Sequence, residues 1–345
     1  MKLIHCSDLH LDSSLNALPS ELAKKRRMEL ITTFVRLTEY ANDNGVSVIM
    51  LAGDIFDTNF ATFATKERFA SIIKSNANID FLCLEGNHDE QNFLSTLNYP
   101  NLKRFNSTWT SYSYGNVVIC GASCGEISCL ASSLSLSPTN QNIVLLHAQI
   151  ASRSQNDNLN LVDFTNKNID YLALGHLHAF RQDKLDRRGK YCYCGCLEGR
   201  GYDELGQKGF VLLDTCDNIK STFIPFAYRQ VEQISLDLTS LNYAQILDSA
   251  KTLLKNVNPT SIVRLVLEGS YKIDTYTGIK ELEEIYSQKF FYFCVKDASK
   301  PEIDKSQEIC LSNQFMSYVA SSTLTEQQKG KVIEYGLKAL RGENL

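Results

Sequence analysis

The sequence predicts a layered α/β fold, and three features of the 345-residue chain carry that prediction. Short apolar runs rich in Ile, Leu and Val recur through its first half, and each has the length of a β-strand. Their apolar character is continuous rather than alternating, which is typical of strands buried on both faces. Stretches with helical spacing separate the first three runs, and this strand–helix–strand order is typical of sheets covered by helices.

The elements of the first half follow one another in a regular order. Five apolar runs are its candidate strands: residues 2–6, 46–51, 79–84, 143–146 and 171–174. Residues 20–44 carry apolar side chains at helical spacing, and Gly45 fits the end of that helix. Residues 62–76 form the second candidate helix, between the second and third strands.

The second half of the chain is organised differently. After residue 109 the pattern becomes strand-rich, with candidate strands at 117–120, 190–196, 210–214 and 221–225. Later candidate strands and helices follow at 231–238, 243–254, 262–267, 280–287, 290–295, 314–320 and 325–340, and Thr325 and Gln328 fit a capping box. The change of pattern predicts a domain boundary near Gln230. Residues 1–230 would form the catalytic domain, and residues 231–345 a small α+β domain that ends in a helical segment.

Composition excludes several classes of protein. Hydrophobic residues make up 43% of the chain and charged residues 21%, which is a globular profile. The opening residues are too quickly polar for a signal peptide, and no apolar run approaches the ~20 residues of a membrane-spanning helix. The 11 cysteines lack the spacing of a disulfide framework, which favours a reducing, cytoplasmic compartment. The net charge of −4 counts mildly against a protein that coats nucleic acid, although acidic residues of a metal site contribute to it.

Five of the six histidines lie in short motifs, and each motif follows one of the five apolar runs. The motifs are Asp8-Leu9-His10, Gly53-Asp54-Ile55-Phe56-Asp57, Gly86-Asn87-His88-Asp89, His147 and Gly175-His176-Leu177-His178. Because loops converge at the carboxyl ends of strands in α/β sheets, five strands can bring these polar side chains to one place. Only His5 falls outside the set.

The spacing within the motifs suits metal coordination. Asp8 and His10 are two residues apart, so in extended backbone both side chains point the same way, and the same holds for His176 and His178. Glycine precedes the ligands of three motifs and permits tight turns with close backbone approach. Mixed oxygen and nitrogen ligands suit Mn²⁺, Fe²⁺ or Zn²⁺ better than Mg²⁺ or Ca²⁺. The ordered set therefore predicts metal-assisted hydrolysis.

These motifs resemble those of the calcineurin-like metallophosphoesterase superfamily and, within it, the SbcD-type DNA repair exonucleases. Residues 5–13, HCSDLHLDS, are similar to the opening of the YhaO-like branch, and residues 51–57, LAGDIFD, resemble the nuclease form of the second motif. Residues 195–209, GCLEGRGYDELGQKG, are similar to that branch's segment after the last metal motif. The resemblance implies a four-layer sandwich of two stacked mixed β-sheets flanked by helices, followed by a small C-terminal α+β cap domain.

The resemblance also implies a two-metal phosphodiesterase that uses two divalent ions, with Mn²⁺ expected and Fe²⁺ or Zn²⁺ as alternatives. The ligands implied for the first ion are Asp8, His10 and His178. Those implied for the second ion are Asn87, His147 and His176, and Asp54 would bridge both. In the family's chemistry a metal-bridging hydroxide attacks phosphorus. His88 would contact the substrate and protonate the leaving oxygen, and Asp89 would orient His88.

The expected substrate is DNA, and the candidate substrate-binding cations are Arg187, Arg188, Arg200 and Lys208. The basic run at residues 24–27 is interpreted as a solvated helix face. The resemblance implies two protein partners: a second copy of the chain, and an SbcC-like coiled-coil ATPase that docks on a C-terminal helical segment. This chain has an apolar stripe there, formed by Ile333, Leu337 and Leu340, which equally fits packing onto its own core.

Two alternatives stay open. The same metal centre would serve a phosphoesterase for nucleotides or other small phosphoesters, and the compact span between His88 and His147 counts against DNA because SbcD-type nucleases carry nucleic-acid contacts there. A closed pocket around the metal site would favour the small substrate, and a shallow basic groove there would favour DNA. The other alternative is a non-catalytic scaffold, but such a protein is expected to lose ligands, and here all of them are present.

Overall fold

The computed structural model describes residues 1–57, 61–90, 93–123, 127–155, 158–271, 276–301 and 311–340. By their contacts these residues form two compact units. The first comprises residues 1–233 and 258–262, and the second lies within residues 234–257 and 263–345. Each unit has an apolar core of its own.

The first sheet of the larger unit leads into the first three motifs. Its strands are β1 (Lys2–Cys6), β2 (Val46–Ala52), β3 (Asp80–Leu84), β4 (Leu102–Arg104), β13 (Gly209–Asp214) and β14 (Lys220–Pro225). They are ordered β14-β13-β1-β2-β3-β4, with β1 to β4 parallel and β13 antiparallel to both its neighbours. The parallel strands are buried along most of their length, as their continuous apolar sequences require.

The second sheet leads into the last two motifs. Its strands are β5 (Thr110–Tyr114), β6 (Val117–Gly121), β7 (Gln141–His147), β10 (Tyr171–Gly175), β11 (Arg181–Lys184) and β12 (Lys190–Tyr193). They are ordered β11-β12-β10-β7-β6-β5, in which the edge strands β5 and β11 are antiparallel and the other four are parallel. The short strands β8 (Gln149–Ile150) and β9 (Asn158–Leu159) pair outside this sheet.

Helices on both outer faces complete a four-layer sandwich, which confirms the predicted fold. One apolar core lies between the two sheets. A second core joins α1 (Ser20–Asp43) and α2 (Phe63–Ser75) to the outer face of the first sheet. A third joins α4 (Ile127–Ser133) and the 3-10 helix Leu161–Phe164 to the outer face of the second sheet. The single-turn α3 (Phe93–Thr96) lies between β3 and β4.

The structure differs from the prediction at the second sheet. The strand expected at residues 190–196 ends at Tyr193, because Gly195 has a left-handed φ of 78° and turns the chain out of the sheet. The edge strand β11 was not predicted, because all four of its residues are exposed and it has no apolar pattern.

The smaller unit is an α+β structure. Its three-stranded sheet is ordered β15-β16-β18, from β15 (Val231–Asp237), β16 (Ile262–Glu268) and β18 (Tyr292–Asp297). Packed on its core are α5 (Tyr243–Leu254) and α6 (Tyr276–Tyr286), and the short strands β17 (Ser270–Tyr271) and β19 (Lys300–Pro301) pair with each other. The last two helices are α7 (Leu311–Ala320) and α8 (Glu326–Leu340), which contact one another.

The predicted capping box at the start of α8 is present. Gln328 N donates to Thr325 Oγ1 (3.3 Å), and Thr325 N donates to Gln328 Oε1 (3.0 Å). None of the helices within the described ranges combines the length and apolar character needed to cross a bilayer.

Candidate metal centre

The five motifs meet at the carboxyl ends of parallel strands from both sheets. The strands β1, β2 and β3 each end shortly before a motif, His147 is the last residue of β7, and His176 follows the last residue of β10. Backbone hydrogen bonds continue the pairing of β1 with β2 into their loops: Asp8 N donates to Gly53 O and His10 N donates to Asp54 O, both at 3.0 Å. The sandwich thus presents the polar ends of five strands along one edge.

The backbone that carries the candidate ligands is strained. Left-handed φ angles occur at Asp8 (52°), His10 (40°), Asp54 (51°) and His176 (102°). Each such non-glycine residue costs about 1–3 kcal/mol, and residues of this kind cluster at functional sites. Tight packing of the surrounding loops must offset that cost.

Two motif glycines leave no room for a side chain. A Cβ atom on Gly86 would lie 2.2 Å from Asp54 Oδ1, and one on Gly175 would lie 1.9 Å from the carbonyl oxygen of Ala52. Both distances are far below van der Waals contact. Glycine at position 86 therefore lets the loops after β2 and β3 approach each other, and glycine at position 175 lets the end of β10 approach the end of β2 in the other sheet.

The residues Asp8, His10 and His178 form one compact group. One ligand atom from each lies within 4.8 Å of the others. The Nε2 atoms of His10 and His178 are 3.2 Å apart, and His178 Nε2 lies 3.7 Å from Asp8 Oδ1. These are the three residues expected to hold the first metal.

A second compact group comprises Asp8, Asp54 and His147, again within 4.8 Å. The Nδ1 atom of His147 donates to the carbonyl oxygen of Ala52 (2.9 Å), so Nε2 of the neutral ring carries a lone pair. That nitrogen lies 3.0 Å from Asn87 Oδ1 and 3.4 Å from Asp54 Oδ2. Three acceptor atoms therefore face one another, an arrangement that a cation stabilises.

The electrostatics of the cluster fit divalent cations. Burial alone would lower the pKa of His147, but the neighbouring carboxylates of Asp54 and Asp8 raise that pKa to about 9. The negative field that would hold a proton on this ring would equally hold a metal ion. Burial raises the pKa of Asp8, and a bound cation would offset the cost of keeping that carboxylate ionised. The side chains of this cluster thus fit a pair of divalent metal ions.

The ring of His176 lies at the margin of the second group. Its backbone N–H donates to both carboxylate oxygens of Asp8 (3.1 and 3.2 Å), and its ring centroid is 5.4 Å from that of His147. Among the described residues, Asp8 rather than His176 completes the compact set with Asp54 and His147. Burial lowers the pKa of His176, which keeps the ring neutral and able to accept a metal.

The His88 side chain lies at the open side of the centre. It is 50% exposed, its ring centroid is 5.2 Å from that of His10, and its backbone N–H donates to Asp54 Oδ1 (2.9 Å). The carboxylate that faces the ring belongs to Asp57, whose Oδ1 lies 4.0 Å from His88 Nδ1.

The structure contradicts the expectation that Asp89 orients His88. Asp89 is buried, and its carboxylate accepts backbone N–H groups of Gly86 (2.9 Å), Phe56 (2.8 Å) and Ile55 (3.2 Å). These bonds join the loops of the second and third motifs. Burial raises the pKa of Asp89 to about 7, although the three hydrogen bonds oppose that rise.

The structure also contradicts the expectation for Arg187 and Arg188. Both lie in the turn that precedes Lys190, which pairs with Tyr171 at the start of β10, whereas the last metal motif follows the end of that strand. The Nε and Nη2 atoms of Arg188 donate to the carboxylate of Asp170, both at 2.9 Å. The turn therefore carries the two arginines to the opposite end of the sheet from the candidate metal ligands.

The other two predicted cations lie beside His178. Lys208 is buried, and its Nζ donates to the carbonyl oxygen of His178 (2.8 Å). The Nη2 atom of Arg200 lies 3.2 Å from His178 Nδ1 and donates to Glu204 Oε1 (2.6 Å). The Arg200 side chain is 17% exposed, so it can still meet a substrate at the centre, whereas Lys208 holds the backbone of the candidate ligand His178.

Sequence reasoning missed Glu204. Its Oε1 accepts the hydrogen bond of His178 Nδ1 at 2.7 Å, which places a carboxylate behind a candidate metal ligand. Such an outer contact is common in metal sites. The one signal for Glu204 was its position in the segment of residues 195–209, whose resemblance to the nuclease branch carried no residue role.

Comparison with known proteins identifies relatives of the chain and its family. The DNA double-strand break repair protein Mre11 of Sulfolobus acidocaldarius is 26% identical, over 79% of this chain and 76% of that protein. The protein of the same name from Saccharolobus solfataricus is 24% identical, over 95% and 91%. A solved dimetal phosphatase from Danio rerio is similar with a TM-score of 0.42 and 9% identity, over 66% of this chain and 99% of that one. The family model for calcineurin-like phosphoesterases matches residues 1–180. The chain therefore belongs to the calcineurin-like phosphoesterase family, whose members are metal-dependent phosphoester hydrolases with a dinuclear site.

Proposed function

We propose that the protein is a two-metal nuclease of the DNA repair type, using Mn²⁺. The observation that carries the proposal is the convergence of acceptor atoms from both sheets around Asp54 and His147, with the half-exposed His88 beside them. The similarity to two proteins named for DNA double-strand break repair supports DNA as the substrate. The mixture of oxygen and nitrogen ligands supports Mn²⁺ over Mg²⁺.

Two divalent ions, when bound, supply the Lewis acidity that activates water and neutralises charge on the phosphate oxygens. In this proposal the residues that hold the first ion are Asp8, His10 and His178. Those that hold the second are Asn87, His147 and His176, with Asp54 shared between the ions. The hydrogen bonds of Asp89 fix the two loops that carry Asp54 and Asn87.

His88 is the proposed proton donor to the leaving sugar oxygen. Its exposed ring is next to His10 and therefore borders the metal ligands on the solvent side. Asp57 Oδ1 lies 4.0 Å from Nδ1, a distance at which it attracts the protonated ring while Nε2 donates to the substrate. Arg200 is the proposed cation for a phosphate oxygen, since its partly exposed side chain lies beside His178.

The test is a set of assays with single-stranded DNA, blunt duplex DNA, hairpin ends and a chromogenic phosphodiester, each with Mn²⁺ or Mg²⁺. We expect Mn²⁺-dependent DNA cleavage, and we expect His88→Ala to lower kcat by about 100- to 10,000-fold while both ions remain bound. The control is Glu90→Gln, which removes an exposed charge from the same loop. A His88→Ala variant with the wild-type rate would remove this residue from the mechanism.

A phosphodiesterase for small phosphoesters is the second candidate, and one observation favours it. The two adjacent arginines predicted to bind DNA lie at the far end of the second sheet, and Lys208 is buried, so the centre has fewer exposed cations than expected. Hydrolysis of the chromogenic ester without cleavage of any DNA substrate would select this candidate.

We also propose that the chain divides near Gln230, with the hydrolase in residues 1–230 and the partner-binding helices in 231–345. In α8 the predicted stripe points inward, because Leu337 is buried and Ile333 is half-buried, and the side chain of Leu340 lies outside the described residues. A coiled-coil ATPase of the SbcC type would therefore meet the exposed Tyr318 and Tyr335. Co-elution with such an ATPase, lost in a Tyr318→Ser/Tyr335→Ser variant, would support this partner, and unchanged co-elution would contradict the surface.

A further inference from the structure

The segment of residues 195–209 contacts His178 at both its ring and its backbone. The ring nitrogen Nδ1 meets Glu204 Oε1 at 2.7 Å. The carbonyl oxygen accepts from Lys208 Nζ (2.8 Å) and from the backbone N–H of Cys196 (3.3 Å). Because several residues of one segment contact this histidine, the segment fixes its position.

The Glu204 contact decides which ring nitrogen of His178 carries the proton. A carboxylate 2.7 Å from Nδ1 requires a proton between the two atoms, because two acceptors at that distance repel. The proton therefore lies on Nδ1, and the lone pair lies on Nε2. Nε2 is the atom that faces His10 and Asp8.

Because Arg200 also lies next to Nδ1, the position of the His178 ring proton depends on Glu204. Its guanidinium, which only donates, lies 3.2 Å from His178 Nδ1 and also binds Glu204 Oε1 through Nη2 (2.6 Å) and Nε (3.0 Å). Without the carboxylate, Arg200 would donate to Nδ1 and shift the ring proton to Nε2. A ring protonated at Nε2 cannot bind a metal through that atom.

Buried contacts hold the segment in place. The Nη2 atom of Arg26 donates to Glu198 Oε2 (2.8 Å) and to the carbonyl oxygen of Gly199 (3.0 Å), one residue before Arg200. Thr33 Oγ1 donates to Glu198 Oε1 at 2.6 Å. Both Arg26 and Glu198 are buried, so α1 fixes the start of the turn that presents Glu204.

We infer that Glu204 is a positioning residue for the first metal: it keeps His178 protonated at Nδ1 against the competing donor Arg200. The inference rests on the proposed two-metal centre and assigns it a tautomer-setting residue. The ligand His147 has a neutral partner instead, the carbonyl oxygen of Ala52. Loss of Glu204 should therefore weaken the first metal position more than the second.

The first measurement uses the metal-free wild-type protein with ¹⁵N-labelled histidine at pH 8. Long-range ¹H–¹⁵N correlations report which ring nitrogen carries the proton, and the His178→Gln variant identifies the signal. We expect the Nδ1–H form in the wild-type protein and the Nε2–H form in Glu204→Met. A wild-type ring protonated at Nε2 would overturn the inference whether or not the protein binds metal.

The second measurement is Mn²⁺ binding by calorimetry, with electron paramagnetic resonance to separate one bound ion from a coupled pair. We expect Glu204→Met to raise the dissociation constant of one ion by about 10- to 100-fold. The control Asp203→Asn removes the neighbouring, exposed carboxylate and should stay close to wild type. The double variant Arg200→Met/Glu204→Met removes the competing donor as well and should recover part of the lost affinity, which a merely structural role would not explain.

The outcomes separate the inference from the proposed function. Wild-type protein that binds no Mn²⁺ overturns the metal centre and the inference with it. Two ions in the wild type and unchanged affinities in Glu204→Met overturn the inference alone. If Glu204→Met does not fold, the double variant Arg200→Met/Glu204→Met can be used, because it replaces the whole ion pair by apolar side chains. The tautomer of His178 in the wild-type protein then tests the inference without any Glu204 variant.

Discussion

His5, the one histidine outside the motifs, should make the folded protein sensitive to acid. Its side chain is fully buried, and Nδ1 lies 3.0 Å from the hydroxyl oxygen of Tyr171. Burial lowers the pKa of His5 from 6.5 to about 3, against a smaller opposing effect of a hydrogen bond with the Leu174 backbone. The folded protein therefore excludes a proton that the unfolded chain accepts.

The sign and size of the effect follow from linkage. Because the pKa of His5 is lower in the folded protein, its neutral ring contributes full stability above pH 6.5, and this contribution is lost as the pH falls toward about 3. Between pH 7 and pH 5 the loss amounts to about 2 kcal/mol in the free energy of unfolding, since each pH unit below the unfolded pKa costs ~1.4 kcal/mol.

The assay compares the wild-type protein with His5→Asn, which keeps a polar group near Nδ1 but cannot titrate. Urea unfolding in EDTA is followed by the fluorescence of Trp109, the only tryptophan of the sequence, whose Nε1 donates to Leu130 O (2.9 Å) in the same unit. All other titrating groups are common to both proteins, so the difference between their pH slopes isolates His5. Equal losses of stability between pH 7 and pH 5 would refute a neutral, buried His5.

Three further substitutions test a close backbone approach at the centre, a buried ion pair and a turn at the far end of the second sheet. Gly175→Ala should abolish Mn²⁺ binding, because its Cβ would lie 1.9 Å from the carbonyl oxygen of Ala52; calorimetry that still shows two bound ions would contradict the close approach. Arg26→Met should lower the free energy of unfolding by about 3–5 kcal/mol, since Glu198 would keep a buried, unpaired charge; a loss below ~1 kcal/mol in urea titrations would contradict the buried pair. Arg188→Met should lower the melting temperature yet leave kcat/KM for DNA unchanged, and a several-fold rise in KM would instead return this residue to the substrate site.

Much of the layered fold and of the metal cluster could be read from the sequence, because both depend on local patterns. Continuous apolar runs fix the buried parallel strands, and a ligand placed directly after such a run must lie at the strand's carboxyl end. Asp8, Asp54 and His147 follow that rule, and each lies where its strand predicts. The capping box at Thr325 is likewise a signal contained within four residues.

The remainder depends on contacts between distant parts of the chain. Glu204 lies in an irregular turn 26 residues after His178, where no periodic pattern reports on its direction. Arg188 is only 10 residues from His178, but the strand β11 between them carries the chain to the opposite end of the sheet. The basic run at residues 24–27 was interpreted as a solvated face, whereas helical phase turns Arg26 inward onto Glu198. The pattern of charges along the sequence does not predict an ion pair between such distant residues.

The most direct test of a paired metal centre is anomalous diffraction from crystals grown with Mn²⁺. We expect two peaks about 3.5–4 Å apart, one between Asp8, His10 and His178 and the other beside His147, with Asp54 between them. Loss of both peaks in Asp54→Asn, with the fold retained, would strengthen that result. A wild-type crystal with no manganese peak near Asp54, or with its manganese bound elsewhere, would contradict the proposed hydrolase centre.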